Sequence, residues 1–107
     1  MNNYVQDGAM ETLPPRFTLE LHDNSTKAPI GTPVVFRRGG DARPTQGVLV
    51  RDKRGAFYVR EYRLRADGGW TAFAYNEAYP SLESDVDGLE ILAVAESIQV
   101  GWGDLIR

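Results

Sequence analysis

A chain of 107 residues has room for one modest core, and 42% hydrophobic with 25% charged residues is the balance of a folded domain, which excludes disorder along the whole length. Twelve Lys and Arg are scattered among fifteen Asp and Glu, for a formal net charge of −3, so the basic face of a protein that grips a phosphate backbone is not expected. With no cysteine, disulfides, thiolate nucleophiles and cysteine metal sites are excluded, and a reducing compartment fits.

Along the chain, turn formers separate short segments that read as strands. Phe17-Thr18-Leu19-Glu20-Leu21 alternates apolar and polar residues, the period of a half-buried strand, before His22-Asp23-Asn24-Ser25 breaks it. Pro33 to Arg37 carries Val34, Val35 and Phe36 and ends at Gly39-Gly40-Asp41. Gly47–Arg51 and Phe57–Leu64 form the clearest hairpin, joined by the polar turn Asp52-Lys53-Arg54-Gly55. A second hairpin joins Phe57–Leu64 to Trp70–Tyr75 through Ala66-Asp67-Gly68-Gly69. Asn76 to Gly88 reads as a loop. Leu89 to Ala95 is the most apolar run and reads as a central strand, with a helix as the alternative for so short a run. The expected fold is mainly β, a single domain spanning 1–107 and built from consecutive hairpins.

Three ordered segments carry a family resemblance. The first is Val5-Gln6-Asp7-Gly8-Ala9-Met10-Glu11, followed by Pro14-Pro15; the second is Phe57-Tyr58-Val59-Arg60-Glu61-Tyr62. The third begins at Gly69-Trp70 and continues through Asn76-Glu77-Ala78-Tyr79-Pro80 to Asp87-Gly88-Leu89-Glu90-Ile91-Leu92-Ala93-Val94. Together they resemble the C-terminal peptidase domain of LexA, the phage repressors and UmuD, over roughly Val5 to Ala95. In that family a Gly-Asp-Ser-Met-type motif presents a nucleophilic serine. A Val-Lys-Arg-type strand presents a lysine base, and an Asn-x-x-Tyr-Pro segment follows. The resemblance implies a twisted, partly closed sheet.

The departures fall on the catalytic pair. Ala9 stands at the nucleophile position, within Asp7, Gly8 and Met10 of the motif, and Arg60 stands at the base position. Asp7-Gly8 reverses the usual Gly-Asp, and the stretch from Ala9 to Arg60 is longer than in the family, with extra residues around Arg51 to Ala56. Alanine offers no nucleophilic heteroatom. Arginine keeps its proton at physiological pH and cannot act as the base. The resemblance therefore implies a peptidase body with neither catalytic group intact, acting in oligomerisation or in the regulation of transcription. Two alternatives stay open: a self-cleaving Ser–Lys peptidase with an engineered Ser-to-Ala change at position 9, and a stand-alone protein-interaction module of the UmuD or antirepressor kind. Lys53 is the alternative base if the alignment slips by one strand, although its turn is expected to be exposed. Whether Arg60 pairs with Asp7 or Glu61 is open from the sequence.

Only eight residues precede Ala9, so neither a cleavage segment nor a helix-turn-helix is expected, and DNA contact would come indirectly through a separate segment. The C-terminal Ile98, Val100 and Trp102 are candidate interface residues, since family members dimerise through C-terminal strands; the expected assembly is a homodimer, with a protein partner as the other option. No cofactor or metal is expected. His22 is the only histidine, and the acids Glu83, Asp85, Asp87 and Glu90 lack the spacing of a calcium loop. No apolar run approaches the roughly 20 residues that span a bilayer. Met1-Asn2-Asn3-Tyr4 has no signal-peptide pattern, so the cytoplasm is the expected compartment.

Overall fold

The structure is a computed structural model and describes residues 14–98. Its strands are β1 (Arg16–Glu20), β2 (Pro33–Arg38), β3 (Gly47–Arg51), β4 (Phe57–Leu64), β5 (Trp70–Phe73), β6 (Leu82–Glu83) and β7 (Glu90–Ile98). They form one sheet in the order β1-β2-β7-β3-β4-β5-β6, with every neighbouring pair antiparallel. The fold is mainly β, as expected, and the sheet is open, with β1 and β6 at its edges. Among the described residues no helix is long and apolar enough to cross a membrane.

Consecutive hairpins account for β1–β2 and for the meander β3–β4–β5–β6. The last strand departs from that pattern by inserting between β2 and β3. This position explains the apolar run before it: with partners on both edges, Leu92, Ala93, Val94 and Ala95 are all buried. The segment is a strand and not a helix. Its two bulges each leave one extra residue. Val35 pairs with Ser97 and Phe36 with Ala95, which sets Glu96 outside the ladder; Leu49 pairs with Ala93 and Val50 with Ile91, which does the same for Leu92.

Turn chemistry fixes the meander. At the β3–β4 turn the Asp52 carboxylate accepts the N–H groups of Arg54 and Ala56, each at 2.9 Å, and Gly55 takes φ 88°. The Asn76–Gly88 segment differs from a plain loop at one place. Leu82 is buried and Leu82–Glu83 pairs with Ala72 and Thr71. One apolar residue among polar neighbours has no period to announce a strand.

Successive strand residues face opposite ways, and here both faces are covered. Leu49, opposite Val59 and Ala93, belongs to a core with Val34, Phe36 and Leu92, closed by Leu21 and Ala28 of the β1–β2 connection. Val48, opposite Arg60 and Val94, belongs to a second core with Val50, Ala72 and Leu82, flanked by Tyr58, Tyr62 and Trp70. The two cores share β3 and β7.

Candidate functional site

Strand β4 is longer than its neighbour β5, which pairs only with Glu61 to Leu64. Beyond the end of β5, the β1–β2 connection and the segment after β5 come together beside the first half of β4. They are tied to each other by the Tyr75 N–H, which donates to the Ser25 carbonyl at 2.7 Å. Arg60 lies at this place, 2% exposed, and is the largest fully buried side chain among the described residues.

The guanidinium meets acceptors from three segments. Nη1 donates to Ser25 Oγ at 2.8 Å and to the Val59 carbonyl at 3.0 Å, and Nε donates to the Pro80 carbonyl at 3.3 Å. Asp23 Oδ2 lies 3.6 Å from Nη1 and supplies the counter-charge. The rings of Tyr58 and Tyr79 sit 5.2 and 5.9 Å from the guanidinium carbon, within cation–π range. Asp23 also shapes its own loop: Oδ1 accepts the Ser25 N–H at 3.0 Å and the Ser25 hydroxyl at 2.5 Å. Ser25 is 0% exposed, and its oxygen also lies 3.2 Å from the Val59 carbonyl.

Chemically this is an Asp23–Ser25–Arg60 array around a closed-off hydroxyl. The serine donates to a carboxylate, a far weaker base than an alkoxide, and accepts from a guanidinium that holds its proton. Neither neighbour makes the oxygen nucleophilic. Tyr58, beside the array, has its phenol held protonated above the usual range: burial raises its pKa most, Asp52 raises it further, and Arg60 opposes.

Arg60 is thus buried beside a partly exposed Asp23, while Glu61, also buried, pairs with Arg63 Nε at 2.8 Å. Asp7, Gly8, Ala9 and Met10 lie outside the described residues, as do Val100 and Trp102. Ile98 ends β7 opposite Val34. Lys53 is exposed in the β3–β4 turn, where Nζ donates to the Val86 carbonyl at 3.0 Å, on the rim of a polar cleft of about 370 Å³ that Tyr58 and Asp87 also line. His22 is exposed at the head of the Ser25 loop. The acidic stretch is engaged by arginines: Arg65 contacts Glu83 at 2.6 Å, Asp85 at 3.2 Å and Asp67 at 3.1 Å, and Arg51 contacts Glu90 at 2.7 Å. Sequence reasoning finds no histidine at useful spacing for Ser25, and so sets it aside, and it misses Asp23. Their only sequence signal was an Asp-Asn-Ser turn, and the strand that completes the site lies 35 residues further on.

No protein-family model matches the chain, and no curated protein matches it in sequence.

Proposed function

We propose that this chain is a LexA-like peptidase body that has lost peptidase chemistry and acts in protein association, in the manner of a repressor's regulatory domain. The observation that supports the reading is the contact from Arg60 Nη1 to Ser25 Oγ at 2.8 Å, with both side chains buried. In the family the resemblance points to, a Gly-Asp-Ser-Met-type motif presents the serine and a later strand presents a lysine. Here Asn24-Ser25-Thr26 follows β1, and Arg60 stands on β4 with its charge against that serine. In this reading Ser25 is the hydroxyl that stands against the base-equivalent Arg60, while Ala9, at the motif's nucleophile position, lies outside the described residues.

The single replacement of lysine by arginine then removes activity. Burial can lower a lysine's pKa until the neutral amine accepts a serine proton, whereas a guanidinium stays charged. A hydroxyl with no solvent exposure is also out of reach of a substrate carbonyl.

Incubation with a fluorophosphonate, read by intact-protein mass spectrometry, tests the reading. No adduct is expected on the native chain. Arg60→Lys alone is expected to stay unlabelled too, because Ser25 remains closed off from solvent. Labelling of Ser25 in the native chain would make it an enzyme and refute the proposal.

A further inference from the structure

The edge strand β1 has a sequence that is complementary to itself. Hydrogen bonds from the Arg38 N–H to the Pro15 carbonyl and from the Leu21 N–H to the Thr32 carbonyl, at 2.8 and 3.0 Å, show that odd-numbered residues direct their main-chain groups towards β2. The N–H and C=O groups of Arg16, Thr18 and Glu20 therefore point away from the sheet, and among the described residues no strand lies on that side. These three side chains are exposed, while Phe17 and Leu19 between them are half-buried against the first core.

We propose that β1 is a homodimer surface, pairing antiparallel with β1 of a second copy about a two-fold axis through Thr18. The inference stands on β1 alone and does not rest on the Ser25–Arg60 reading. In this register Thr18 faces Thr18 of the other copy and exchanges both main-chain hydrogen bonds with it. Arg16 faces Glu20, and Glu20 faces Arg16, so the outward N–H and C=O groups of all three residues are satisfied. The same pairing sets opposite charges across the strands twice. On the other face Phe17 meets Leu19, extending the first core, where Phe17 already stacks on Phe36 at 5.9 Å. A one-residue slip would set Arg16 against Leu19 and expose the apolar pair, so the register is specified. Arg16 holds Glu96, on the far side of β2, through Nε and Nη2, and exchanges that partner for Glu20 of the second copy. A closed, isologous dimer follows.

The chain has no native cysteine, so single cysteines report the register directly. A hydrogen-bonded antiparallel pair brings Cα atoms to about 5.5 Å, inside the span of a disulfide. Thr18→Cys is expected to form a disulfide-linked dimer on mild oxidation. Glu20→Cys is expected to stay unlinked, because its symmetry mate is roughly 13 Å away along the strand. By sedimentation equilibrium the native chain should dimerise and Thr18→Pro should be monomeric, since proline removes only an outward N–H. Glu20→Arg, which sets like charges across both pairs, should raise the dimer Kd about tenfold. Circular dichroism checks that each variant keeps its β signature, and the cysteine pair decides the question if the proline variant fails to fold. A native chain that is monomeric at every concentration would overturn the proposal, as would a dimer indifferent to Glu20→Arg. Equal linking of Thr18→Cys and Glu20→Cys would overturn it too.

Discussion

Arg60 carries five N–H donors on a planar fork, and burying that fork demands acceptors arranged around it. Among the described residues a serine, an aspartate and two carbonyls lie around it, from segments that meet where β4 outlasts β5. The sequence singled out Arg60 through its place in a motif and left open whether it pairs with Glu61 or with Asp7, which lies outside the described residues. Asp23 was not legible, because nothing local in Asp23-Asn24-Ser25 distinguishes an ordinary turn from a lid over a strand edge. Thr45 is a second residue whose state was invisible in the sequence. It adopts φ 70°, a left-handed conformation unfavourable for a β-branched side chain, because its N–H donates to the Tyr62 carbonyl at 2.7 Å and Gln46 returns a carbonyl to the Tyr62 N–H at 2.8 Å. Thr45→Asn is expected to stabilise the fold by about 0.5–1 kcal/mol, since asparagine tolerates this region. A lower urea midpoint for the variant would show that the threonine is not strained.

Among the elements, the hairpins were the most legible, since Asp52-Lys53-Arg54-Gly55 and Asp67-Gly68-Gly69 combine turn chemistry with flanking alternation. The insertion of β7 between β2 and β3 was less so: an apolar run says that a strand is buried on both faces, and not which strands cover its edges. The short β6 escaped because its attachment depends on charge. Arg65 spans the β4–β5 turn at Asp67 and the β6 region at Glu83 and Asp85. Arg65 holds the Asp85 carboxyl below the usual range; a hydrogen bond from the Gly69 N–H does most of this for Asp67, with Arg65 adding to it. A folded-state pKa below the unfolded value gives stability that is full above the unfolded pKa, near 4, and is lost as pH falls through the folded pKa. Stability should therefore decline on acidification below about pH 4. Arg65→Met should be less stable at neutral pH and show a shallower acid limb. Parallel pH profiles for the native chain and the variant would remove Arg65 from the account.

At the scale of the whole molecule, the sheet carries a core on each face, and β3 and β7 belong to both. Mainly-β character and one body were legible from turn spacing and alternation. The double-sided burial was legible in Leu89 to Ala95, where the polar–apolar period disappears. The Ser25–Arg60 contact matters at this scale because it fastens the β1–β2 connection, which covers the first core, to the edge of β4. The proposed function treats that contact as a structural clasp where a reactive pair would stand. A double-mutant cycle with Ser25→Ala and Arg60→Met, read by urea unfolding, tests it most directly. The account predicts a coupling of about 1–2 kcal/mol, as for a buried hydrogen bond with a charged partner. Additivity of the two substitutions to within about 0.5 kcal/mol would mean that serine and arginine do not hold one another, and would contradict it.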